Sequence, residues 1–119
     1  MFRFDLDPDS LEASVREYIR ANPDRTELAI RELRRMGADR VDVERERAAV
    51  LRRQEEQDRM GIAALEASGR FDPQTREFAG TEAEALAIVE AAGAFDGWER
   101  DFKALCVLEY IRLARQRRN

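Results

Sequence analysis

The side chains best equipped for chemistry in this chain are carboxylates. Glu44, Glu46, Glu55, Glu56 and Asp58 fall close together, and hard oxygen donors of this kind could in principle assemble a magnesium site. They are interleaved with arginines at 45, 47, 52, 53 and 59, however, and no loop with the spacing of an EF-hand is present. Ion pairing on a solvated surface is therefore their expected use. The sequence contains no histidine, which removes Ser-His-Asp and Cys-His catalysis, the HExxH zinc site and every Cys/His zinc pattern. Carboxylate-bridged diiron bundles, which draw on Glu-x-x-His, go with them. There is no glycine-rich phosphate loop of the Walker or Rossmann kind. The single cysteine, Cys106, cannot close an intramolecular disulfide and lies in the apolar run ALCVLEYI, where a buried thiol is expected. The expectation is a chain without enzymatic activity, metal or cofactor.

Charge narrows the binding classes. The net charge is −4, and residues 60–111 carry ten acidic against four basic side chains. Twenty of the 21 basic residues are arginine, the exception being Lys103, a coding bias that weakens any argument from arginine content. Two features suit nucleic acid: the C-terminal end, with Arg112, Arg115, Arg117 and Arg118, and a helix-turn-helix near 26–50 that turns at Met36-Gly37-Ala38-Asp39. Against the second, its reading helix opens on Asp42, Glu44 and Glu46, where phosphate repels. Arginines at a helix C-terminus are also commonplace complements of its dipole.

These groups must be positioned by helices. Asp7-Pro8, Asn22-Pro23 and Asp72-Pro73 each place a capping residue before a proline suited to the first helical turn. Capping-box spacing recurs at Asp9–Glu12, Thr81–Glu84 and Asp96–Glu99, and glycines 37, 69, 80 and 93 stand where apolar periodicity lapses. The chain of 119 residues thus reads as a single all-α domain, 1–119, a small bundle of five to six helices with a basic C-terminal tail at 112–119. Helices are expected near 8–21 (with Leu6 stapled to Leu11), 23–36, 41–68 and 82–92. A helical turn at 73–79 and a buried helix at 97–116 complete the set. Alternating apolar and polar residues at 2–6 and 40–43 allow a minor two-stranded β element pairing those segments.

The helix at 41–68 is the unusual one. Between Leu51 and Met60 it reads RRQEEQDR, with no apolar residue. Its ends have cores to join and its middle does not. At 1.5 Å per residue it would be a rod of roughly 40 Å that projects or bridges two packed clusters. Glu55 with Arg59 and Arg52 with Glu56 are placed to pair along it. A stripe of Val43, Val50, Gln54, Gly61, Ile62 and Leu65 offers an interrupted seam for a homodimer. No apolar run reaches the roughly 20 residues of a membrane span, and no secretory leader pattern opens the chain, so the expected location is cytoplasmic.

One phrase occurs twice: LEASGRFD at 65–72 and VEAAGAFD at 89–96, within segments 63–78 and 87–102 that share eight identities. The physical reading is a helix corner built twice. Glycine ends a helix, Phe71 or Phe95 folds back onto it, and Asp72 or Asp96 caps the next. By elimination the expected function is that of a non-enzymatic protein-binding regulatory module of the inhibitor, antitoxin, immunity or adaptor type. Its partner surface is assigned to the acidic segment 60–111 or to the charged arm, Arg52, Arg53, Glu55, Glu56, Asp58 and Arg59, with helical DNA binding as the alternative.

Overall fold

The computed structural model describes residues 2–4, 10–37 and 41–117. Five helices hold 74% of the described residues and are joined by one small two-stranded antiparallel sheet, so the chain is the expected helical bundle with a minor β element. In order they are β1 (Phe2–Arg3), α1 (Ser10–Ala21), α2 (Pro23–Met36), α3 (Val43–Ala67), β2 (Glu77–Phe78), α4 (Glu82–Ala91) and α5 (Trp98–Gln116). The expected start at Asp7-Pro8, the Leu6 staple and Arg40 lie outside the described residues. Two compact units emerge: Asp9–Leu51 with Trp98–Asn119, and Met1–Pro8 with Arg52–Gly97.

In the first unit α1 and α2 pack on α5 and on each other. Apolar residues at helical spacing (Leu11 and Val15, then Leu105, Cys106, Leu108 and Ile111) meet Val43 and Val50 from the start of α3. Trp98 stacks on Phe102 at 5.3 Å, and Tyr18 meets the same ring edge-on at 5.6 Å. Asn22 does not cap α2 with its side chain. Its amide instead donates to the Tyr18 carbonyl at the end of α1, while the Thr26 hydroxyl donates to the Asn22 carbonyl at 2.9 Å. The proline at the first turn makes a side-chain cap less necessary, since one orphan N–H is already gone. α3 is capped by Asp42, whose carboxylate accepts from Arg45 N–H at 3.1 Å. Cys106 is buried as expected, and burial pushes its thiol pKa up, away from a reactive thiolate.

The second unit is built on Leu65 of α3, Phe78 of β2, and Ala85 and Val89 of α4, all completely buried. Phe2 and Phe4 close over them, Phe2 lying 6.0 Å from the Phe78 ring. β1 pairs with β2 through Phe2–Phe78 and Arg3–Glu77, and a bridge joins Phe71 to Phe78. The strand partner of residues 2–3 is thus 77–78 and not 40–43. Val43 opens α3, where the Asp42 cap and the following run of helix formers favour a helix. Likewise 73–79 is a hairpin loop running into β2, not a helical turn. The capping box on α4 forms as the spacing predicts: Thr81 accepts from Glu84 N–H, and the Glu84 carboxylate accepts from Thr81 N–H. Arg70 bridges to Glu84, donates to the Ala79 carbonyl and lies over the Phe78 ring at 4.9 Å.

The repeated phrase is built differently in its two copies. At the first, Gly69 takes φ +74°, Arg70 stays on the surface over the Phe78 ring and Phe71 is buried. At the second, Gly93 N–H bonds to the Glu90 carbonyl and Ala94 N–H to the Val89 carbonyl. This is the Schellman closure, and it turns the residue after glycine inward. Ala94 takes that place at 1% exposure, which leaves Phe95 outside at 40%. The expectation of a buried Phe95 is therefore corrected. Asp72 accepts from Gln74 and Thr75 N–H within a loop. Asp96 turns its carboxylate over Gly93, 2.9 Å from where a Cβ would stand, in place of the cap expected on α5.

Two outcomes follow from this packing. Phe71→Ala should cost about 3 kcal/mol or more in urea unfolding and Phe95→Ala less than about 1, whereas equal costs would contradict the asymmetry between the copies. Hydrogen bonds from Arg70 and Thr81 hold Glu84 below the ordinary glutamate value of 4.5. A depressed folded pKa gives stability that is complete above 4.5 and lost as pH falls through the folded value. The stability difference between the parent and Glu84→Gln should therefore shrink on acidification, which an acid series of melts would read directly.

Candidate functional site

The chemistry-bearing groups of α3 fall at a spacing of three and four residues. Glu55, Asp58, Arg59, Ile62, Ala63 and Glu66 consequently share one face of the helix. Opposite them stand Phe71, Pro73 and Arg76 of the hairpin loop, and the two sides enclose a groove of about 420 Å³. Its floor is apolar, from Ile62, Ala63, Phe71 and Pro73. Its rim is charged.

The loop is held by its own backbone. Asp72 N–H bonds to the Glu77 carbonyl at 3.0 Å, Arg76 N–H to the Asp72 carbonyl at 2.7 Å, and Glu77 N–H to the Thr75 hydroxyl at 3.3 Å. Phe4 N–H then bonds to the Arg76 carbonyl at 2.8 Å, tying the loop to the N-terminal strand. These bonds hold Arg76 at φ +62°, in the left-handed region that side chains other than glycine avoid. An arginine rather than a glycine in that conformation sets a long cationic side chain on the groove wall.

Of the six residues assigned to partner binding, the structure brings Glu55, Asp58 and Arg59 together on the groove. Arg52, Arg53 and Glu56 are exposed but do not line it. The pairings expected of Glu55 with Arg59 and of Arg52 with Glu56 do not close among the described residues, in keeping with the small gain available to long exposed side chains in water. Ile62, Ala63, Glu66, Phe71, Pro73 and Arg76 complete the groove; they fall within the acidic segment 60–111, but the sequence singles none of them out as groove residues. The helical spacing carries a signal for the first three; nothing local predicts that a loop would stand opposite them. The homodimer stripe is not an open seam, since Val43 and Val50 are buried in one core, Leu65 in the other, and Gln54 and Gly61 are buried as well.

Arg112, Arg115 and Arg117 are engaged within their own unit. Residues 112–116 form the end of α5. Arg112 grips the Glu109 carboxylate with two nitrogens, Arg115 donates to the Val41 carbonyl at 2.6 Å, and Arg117 pairs with Glu27, whose pKa that hydrogen bond lowers. Arg118 lies outside the described residues, as do Ala38 and Asp39 of the helix-turn-helix reading. The first turn of α3, its reading helix, exposes Glu44 and Glu46. A second cavity, of about 290 Å³, opens in the unit containing α1 and α5. Its carboxylates Glu12, Glu44 and Glu109 face an equal number of arginines, 16, 47 and 112, with Glu12 bridged to Arg47 and Glu109 to Arg112. It expresses no preference for either sign of charge.

Among the described residues no group of three or more acidic or cysteine side chains could hold a metal ion, and no helix is long and apolar enough to cross a membrane. No family model, curated protein or solved structure matches the chain.

The loop geometry carries a direct test. Arg76→Gly and Arg76→Val both remove the guanidinium, but only valine must hold a β-branched side chain at positive φ. Arg76→Val should be less stable than Arg76→Gly by at least about 1–2 kcal/mol in urea titration. Equal stability would show that the loop does not impose this conformation.

Proposed function

We propose that the chain is a non-enzymatic protein-binding module of the inhibitor, antitoxin, immunity or adaptor type, acting in the cytoplasm by occluding or bridging a partner protein. The observation that carries this reading is the groove: an apolar floor open to solvent, rimmed by Glu55, Asp58, Arg59, Glu66 and Arg76. Apolar recesses with a few convergent charged groups are where proteins receive ligands and partner segments. Helical DNA binding finds less support, because Arg112, Arg115 and Arg117 already answer groups of their own unit. A partner other than a second copy is favoured for the same kind of reason, Val43, Val50 and Leu65 of the α3 stripe being buried at home.

Affinity capture from the native host with the parent chain and with Glu55→Lys/Asp58→Lys/Glu66→Lys tests this reading. The parent should retain a partner in near-stoichiometric amount that the triple variant loses, with Glu56→Lys retaining it as a folded control. Capture that is indifferent to the triple variant would sink the groove as the docking surface.

A further inference from the structure

The groove's charge and length specify what it receives. Glu55 and Glu66 are exposed and, among the described residues, enter no ion pair within the chain. Eleven residues of α3 separate them, a rise of about 16 Å. Between them on the same face lie Asp58 and Arg59, whose opposite charges balance, and then Ile62 and Ala63, with Phe71 across the groove. Residues 52–97 carry ten carboxylates against five arginines, and one of those five, Arg70, is committed to Glu84. The field around the groove is therefore negative, and its floor at Ile62, Ala63, Phe71 and Pro73 is apolar.

We propose, resting on the protein-binding reading above, that the groove takes an amphipathic helix of the partner bearing lysine or arginine at both ends of an apolar stripe. Two helices side by side rise equally per residue, so cations eleven positions apart meet Glu55 and Glu66 together. Eleven residues is also close to three full turns, which sets those two cations on one face of the partner helix. Leucine-sized side chains between them then reach Ile62, Ala63 and Phe71, the anchoring mode of helix-in-groove recognition. The opposite charge pattern would set carboxylates against Glu55 and Glu66.

The test uses the full chain and three labelled synthetic peptides of equal length, each stapled as a helix: one with lysines at i and i+11 flanking three central leucines, one with glutamates in their place, and one with the lysine peptide's residues scrambled. Fluorescence anisotropy at low salt should show the lysine peptide binding at least tenfold more tightly than either other. Binding should weaken as salt is raised. Glu55→Lys/Glu66→Lys should reverse the preference toward the glutamate peptide, Ala63→Trp should weaken binding of the lysine peptide by filling the floor, and Glu56→Lys should change nothing. Circular dichroism of each variant separates loss of binding from loss of fold. Equal binding of the lysine and glutamate peptides, no binding of the lysine peptide, or an equal effect of Glu56→Lys overturns the proposal. If partner capture depends on the groove while the lysine peptide fails, the partner chemistry is wrong and the protein-binding reading stands. If capture ignores the groove, that reading falls on its own.

Discussion

The candidate site depends on α3 staying helical, as it does from Val43 to Ala67, across a middle that offers almost nothing to any core. Val43 and Val50 enter one hydrophobic cluster, Leu65 with Ile62 the other, and Arg52–Arg59 lies between. Helix propensity helps, since Arg, Gln and Glu are good formers. Propensity alone rarely holds a helix in water, however, and tertiary packing of its apolar face supplies most helical stability. Here the packing acts at the two ends, and the middle stays helical between them. Its buried polar residue, Gln54, is held by side-chain bonding: Gln54 donates to Gln57, which donates in turn to the Asp96 carbonyl.

That same constraint creates the candidate site. A helix with apolar residues on more than one face cannot bury them all against its own unit, and around Ile62 and Ala63 the surplus is met by a loop rather than by another helix. The loop stands off far enough to leave an open groove. Its position is imposed by the backbone bonds around Asp72 and Arg76, at the cost of a left-handed arginine.

Helix periodicity and punctuation made most of the fold legible in the sequence. Asn22-Pro23 marks the start of α2 at the right residue, Thr81–Glu84 forms the capping box it spells, and the bounds of α3 and α5 fall within two residues of expectation. What failed were contacts between distant segments. Residues 2–3 pair with 77–78, and no feature of either dipeptide announces the other. The two copies of the repeated phrase also look alike, yet the residue after each glycine, Arg70 or Ala94, decides which neighbour turns inward. A motif-level reading assigned both phenylalanines to the core; the parity of the chain after the glycine buried only one. For the candidate site, Glu55, Asp58 and Arg59 were legible only as part of the charged arm from Arg52 to Arg59, and helical spacing separates them from the other three. Phe71, Pro73 and Arg76 were not legible, because a loop's position against that face is a tertiary fact.

The central claim is that the groove beside α3 is where a partner docks. Hydrogen exchange of the full chain, with and without the partner it retains, reads this without altering any residue. Slowed exchange at 55–66 and 71–76, with little change at 10–37, is the predicted result. Protection confined to α1, α2 or the arginine-bearing end of α5 would contradict it.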